Sequence, residues 1–202
     1  MKSSFKTDLE KEQKLSVLLD TYYSKHLEFY NFERITDKIH QFEGVDLVFT
    51  HSKTKKLFLV DEKAQLDYIN ETLPTFAFEL SYQKKGIEKK GWLYDQKKKT
   101  DFYALVTSIY SDLPYTFTSC KITFVNRVKL IFFLKTRGYT EQLFSDIQEM
   151  HRKTNGVVVL EKLDSKNEGY LYFSTRNKAE KPVNLILKLD FLIKIGVAKR
   201  LI

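Results

Sequence analysis

Two aspartates and one lysine, Asp46, Asp61 and Lys63, are the residues of this sequence with the clearest capacity for chemistry. Asp46 closes the tripeptide Gly44-Val45-Asp46 at the start of an apolar run that continues to Thr50. Asp61 and Lys63 follow the apolar run Leu57-Phe58-Leu59-Val60. If that run is a strand, its period of two puts Leu57, Leu59, Asp61 and Lys63 on one face and Phe58, Val60 and Glu62 on the other. A hairpin between the two runs would bring the Asp46 carboxylate towards that of Asp61. Two carboxylates converging in an apolar setting repel each other unless a cation stands between them. Oxygen ligands completed by waters suit Mg²⁺, with Mn²⁺ as a substitute. Lys63 adds a positive group near an attacking water and the phosphate oxygen on which charge builds. Metal, water and lysine together describe the hydrolysis of a phosphodiester bond.

The elements that must position these residues are legible in the apolar spacing. From Thr7 to about Leu27 apolar residues recur at steps of three and four, predicting an amphipathic helix capped by Thr7 or Asp8. Phe29 to Ile35 reads as a strand or an extended connection. Gly44–Thr50 and Leu57–Gln65 read as strands joined through the polar stretch His51–Lys56, most simply as an antiparallel hairpin. Leu73–Ser81 permits both a helix with Pro74 in its first turn and an extended segment, and the helix is preferred here. Gly91–Asp95 and Thr100–Ile109 read as strands around the lysine-rich turn Gln96–Lys99. In the last third, Phe117–Val125 is a strand, and Val128–Lys135 and Glu141–His151 are helical. Val157–Leu160, Gly169–Ser174 and Val183–Leu187 are β-like, and a short helix covers Asp190–Ile195.

This arrangement of acids and strands resembles the PD-(D/E)XK nucleases of the restriction-endonuclease-like fold: Gly44-Val45-Asp46, a short loop, then Asp61-Glu62-Lys63. Val45 holds the place of the usual proline, a position that varies among members. The resemblance implies Asp46 as first metal ligand, Asp61 as second, the backbone carbonyl of Glu62 as a further ligand, and Lys63 as the catalytic lysine. It also implies an α-β-β-β-α-β core. The fold expectation is therefore a mixed α/β (α+β) chain with such a core over residues 1–110 and an α+β extension over residues 111–202. The functional expectation is a Mg²⁺-dependent nuclease hydrolysing DNA. The alternative is a catalytically inactive nucleic-acid-binding or assembly protein with the same fold.

Other residues are candidates for supporting parts. Gln65, two beyond Lys63, could hydrogen-bond a phosphate or a metal-bound water, or serve only as a polar strand end. Glu79, set among Phe76, Ala77, Phe78 and Leu80, needs a partner if buried and could then hold or support the metal, but an outward-facing acid is the preferred reading. Glu10 and Glu12 on the first helix read as solvated. Lys84-Lys85, Lys89-Lys90 and Lys97-Lys98-Lys99 flank Trp92 and Tyr94. Lys89, Lys90, Trp92, Lys97, Lys98 and Lys99 are the candidates for contact with nucleic-acid phosphates and bases, a contact that weakens with salt.

Composition agrees with such a partner. Among 202 residues, 34 Lys+Arg against 26 Asp+Glu give a net charge of +8, which favours polyanions. Apolar residues at 43%, with 7 Gly and 3 Pro, exclude a disordered or collagen-like chain. A single cysteine, Cys120, excludes an internal disulfide and a multi-cysteine metal site, and with no apolar leader or membrane span points to the cytoplasm. His26, His40, His51 and His151 lack zinc-binding spacing, and no phosphate-binding glycine loop is present. A homodimer is left open.

Overall fold

The computed structural model describes residues 5–176 and 179–202. In chain order the elements are α1 (Phe5–His26), β1 (Tyr30–Arg34), α2 (Lys38–Phe42), β2 (Leu47–His51), β3 (Leu57–Ala64), β4 (Thr75–Lys84) and β5 (Ile87–Lys90). They continue with β6 (Phe102–Leu113), β7 (Thr116–Asn126), α3 (Arg127–Thr136), α4 (Glu141–Met150), β8 (Gly156–Val158), β9 (Gly169–Phe173), β10 (Val183–Lys188), α5 (Leu189–Lys194) and β11 (Ala198–Arg200). The class is mixed α+β, with strands gathered in a six-stranded sheet, β1-β2-β3-β6-β7-β11, and a five-stranded sheet, β5-β4-β10-β9-β8.

The chain forms two compact units that are interleaved rather than consecutive. The first comprises Met1–Leu73, Thr100–Phe124 and Lys199–Ile202; the second comprises Pro74–Lys99 and Val125–Ala198. The units thus follow a different division from a single boundary near residue 110.

In the first unit, β1 pairs antiparallel with β2 and β2 antiparallel with β3, while β6 lies parallel to β3 with Val60 opposite Phe102 and Lys63 opposite Leu105. The turn between β2 and β3 closes with His51 N donating to Lys56 O at 2.9 Å, and the His51 ring accepts from the amides of Lys53 and Thr54. Leu15, Leu19 and Tyr23, one face of α1 at four-residue steps, pack on Leu47, Phe49, Val60, Ala104, Val106 and Ile109. Ala104 and Val106 share the core face at even spacing, but the next core residue is Ile109. Ser108, just before Ile109, has φ +47°, and the period of two breaks there.

The second unit packs its helices with the five-stranded sheet. Phe76, Phe78 and Leu80 alternate as buried residues along β4, and Leu185 and Leu187 do so along β10, beside Leu171 and Phe173 of β9.

Two expectations need correction. Leu73–Ser81 is not a helix; it supplies β4, because Phe76, Phe78 and Leu80 follow a period of two and find β5 and β10 on either side. The expected α-β-β-β-α-β order therefore has strands where its second helix was placed. Gly91–Asp95 is not a strand but a turn, with Asp95 N bonded to Gly91 O at 3.2 Å. A Cβ at Gly91 would stand 2.2 Å from the Glu79 carbonyl oxygen, so only glycine allows this approach to β4. The short elements α2, β5 and β11 had no counterpart in the apolar spacing. Among the described residues, no helix is long and apolar enough to cross a membrane.

Candidate functional site

Asp46 sits immediately before β2 and is fixed through its backbone. Its amide donates to Val60 O at 2.9 Å, and its carbonyl accepts from Ile35 N at 2.8 Å. The preceding turn is held as well: Gly44 has φ +72°, and the buried Thr100 hydroxyl donates to Gly44 O at 2.7 Å. With its main chain fixed, Asp46 presents Oδ2 to the amide of Glu62 at 2.8 Å. The first acid is thus bonded to the strand that carries the second.

Asp61 lies on β3 opposite Tyr103 of β6 and is 2% exposed. Its Oδ1 is 2.5 Å from Lys63 Nζ, so the two side chains share the face that a two-residue period requires. Burial pushes the Asp61 carboxyl up to about 7; the Lys63 ammonium works against that rise, and the neighbouring Asp46 carboxylate adds to it. An acid so shielded from water and so close to a second acid gains strongly from additional positive charge. At the other end of β3, Leu59 N donates to Asp101 Oδ2 at 2.9 Å, fixing the strand against the residue that leads into β6.

Glu62 turns to the opposite face. Its carboxylate accepts from the Tyr23 hydroxyl at 2.7 Å and from Arg34 Nη1 at 2.6 Å, with Arg34 Nη2 at 3.3 Å. Arg34 also reaches Asp20 Oδ1 at 2.7 Å, and its Nη2 approaches Ser16 O at 3.4 Å. This cluster ties α1, β1 and β3 together directly behind the acid pair. Its partners raise the Arg34 pKa against the opposing effect of burial. The Tyr23 hydroxyl is pushed well above its ordinary range, first by burial and then by Glu62.

The remaining candidates fall elsewhere. Gln65 follows β3, and its amide donates to Val106 O at 3.0 Å. Glu79 lies in the second unit on β4, half-buried, with strand parity opposite Phe78 and Leu80. Lys89 and Lys90 are exposed on β5, where Lys90 pairs with Glu141 at 2.6 Å. Trp92 packs against Phe78 with ring centroids 5.4 Å apart, which gives it a part in the second unit's core. Lys97, Lys98 and Lys99 occupy a turn built around Arg127, whose guanidinium donates to the carbonyls of Leu93, Asp95 and Lys98 at 3.2, 2.8 and 3.1 Å. The acid pair belongs to the first unit and all the lysine clusters to the second.

Among the described residues, no group of three His, Cys, Asp or Glu side chains is arranged to hold a metal. Asp46 and Asp61 supply two carboxylates, and the Glu62 carbonyl is the further oxygen that the sequence resemblance implies. Sequence reasoning missed Thr100, Asp101, Tyr23, Asp20 and Arg34, all of which hold the site through partners distant in the chain. Only Tyr23 left a signal, its place on the apolar face of the first helix. No family model, curated protein or solved structure matches the chain.

Proposed function

We propose that the protein hydrolyses nucleic-acid phosphodiester bonds, DNA foremost, with Mg²⁺ held by Asp46 and Asp61 and with Mn²⁺ as a substitute. One observation carries this reading: Asp61, almost wholly buried, lies beside Asp46 with Lys63 Nζ 2.5 Å from its carboxylate. The donor set is oxygen throughout, which suits a hard divalent ion. Such an ion, when bound, supplies positive charge that acidifies water and offsets charge on a phosphate oxygen. Asp46 is oriented for its part by the Glu62 amide, and Asp61 by β3 and its pairing with β6. Lys63, 30% exposed at its side chain, keeps access to solvent and can turn from Asp61 to a phosphate oxygen or an attacking water.

The arrangement of the first unit supports a restriction-endonuclease-like core. One helix lies on a run of three consecutive antiparallel strands, and a fourth strand, β6, lies parallel to the third. The connection to β6 runs through the second unit instead of a single helix. The net charge of +8 supports a polyanionic substrate.

The direct Lys63–Asp61 pair favours a second reading, in which the lysine merely neutralises the aspartate of a non-catalytic nucleic-acid-binding protein. Single-turnover cleavage separates the two. The nuclease reading expects cleavage with Mg²⁺ or Mn²⁺, little with Ca²⁺ and none in EDTA. Binding without cleavage across single- and double-stranded DNA and RNA overturns it.

A further inference from the structure

The sheet face opposite Asp61 carries a second feature, independent of the acid pair. Helix α1 covers that face through Leu15, Leu19 and Tyr23 and ends at His26. Past the helix end, the core-side rings of Tyr30, Phe58, Phe102 and Phe124 are only partly buried. They form a continuous aromatic surface, with Tyr30–Phe58 centroids at 6.0 Å and Phe58–Phe102 at 5.8 Å. These rings line a cavity of about 450 Å³ floored by Phe49 and Val60. That volume falls within the range of small-molecule sites, about 300–1,000 Å³.

The polar part of the lining is one-sided. His26, Lys199 and Arg200 contribute to the cavity wall, all three are exposed, and among the described residues no acidic side chain lines it. Among the described residues, Tyr30 supplies the sole hydroxyl of the lining and no side-chain amide joins it. A nucleotide is a poor match, because its ribose hydroxyls and base edges would lose water with little to replace it. An apolar body ending in one negative charge matches both parts: the body against the rings, the charge towards Lys199 and Arg200.

We propose that this cavity binds a small amphipathic carboxylate, an acyl or aryl chain bearing a single acid group. Calorimetric titration of the full chain with decanoate, decanol and decyltrimethylammonium, each below its micellar concentration, tests it. Decanoate should bind with one-to-one stoichiometry and at least tenfold more tightly than decanol, and the ammonium should not bind. The double variant Lys199→Glu/Arg200→Glu, confined to exposed positions, should weaken decanoate tenfold or more and leave decanol unchanged. Leu201→Trp, which puts an indole into the cavity, should weaken both. The absence of saturable decanoate binding, equal affinity for decanol, or indifference to the charge reversal overturns the proposal. None of these readouts depends on nucleic-acid cleavage.

Discussion

Asp61 and Glu62 are adjacent acids on one strand, both withdrawn from water, and their surroundings differ in kind. Glu62 meets a hydroxyl and a forked guanidinium, and that guanidinium is shared with Asp20. Asp61 meets one ammonium and a competing carboxylate. Glu62 is saturated with donors from two other elements, α1 and β1, and acts as an anchor. Asp61 is left with too little positive charge for its burial, a deficit that the proposed cation would relieve. Strand pleating alone separates the two fates, since it sends consecutive side chains to opposite faces.

The comparison breaks most sharply at Asp61 itself. Asp61→Asn, Asp46→Asn and Lys63→Ala should each lower single-turnover cleavage by about a thousandfold or more, with circular dichroism unchanged. If Glu62→Gln is the inactive variant and Asp61→Asn the active one, the roles of the two faces are reversed and the assignment fails.

On the anchoring side the expected loss is stability. Arg34→Ala leaves Glu62 and Asp20 without their shared cation and should cost about 2–3 kcal/mol in urea unfolding, somewhat less than a fully buried pair because Arg34 keeps some solvent contact. Tyr23→Phe, which removes one donor, should cost about 1 kcal/mol. Cleavage per folded molecule should change less than tenfold for either variant. A loss as large as that of Asp61→Asn would merge the two regions into one functional unit.

The third test uses pH. The Asp61 carboxyl titrates near 7 in the fold against 3.8 when unfolded, so between these values the folded chain holds more proton than the unfolded one. Stability from this group therefore falls as pH rises from about 4 to about 7 and stays low above that. Without divalent ions, the melting temperature of the wild type relative to Asp61→Asn should drop across this window. Mg²⁺ should restore about 5 °C at pH 8 and markedly less at pH 5. An equal Mg²⁺ effect at both values, or one retained in Asp61→Asn, removes the cation from this site.

The smallest effect concerns the second unit. Replacing Lys97, Lys98 and Lys99 by Ala should reduce the salt dependence of DNA binding by about two to three ions, with the cleavage rate at saturation nearly unchanged. An unchanged slope takes this turn out of the nucleic-acid contact.

Much of the first unit was legible because its signals are local. The two-residue period of β3 separated Asp61 and Lys63 from Glu62, and the four-residue steps of α1 marked its buried face. The strand at 75–84 was misread because Pro74 and a short apolar run fit a helix start as well as a strand, and only pairing with β10 decides the matter. The ties of Thr100 to Gly44 and of Asp101 to Leu59 span 56 and 42 residues, so no window of sequence contains both ends. The Arg34–Glu62 pair spans 28 residues and two strands, with the same result.

The interleaving of the two units has a consequence for how the molecule comes into being. The chain passes between the units four times, and the first unit takes its last strand from Lys199–Ile202, where Leu201 N bonds to Ile122 O at 2.9 Å. Neither unit is one uninterrupted stretch, so a ribosome cannot release one complete before starting the other. Closing these long loops favours late, concerted assembly over stepwise maturation. A protease cut between residues 73 and 74 would therefore leave the first unit dependent on chain from the far side of the nick, whereas every residue of the second lies on one side of it.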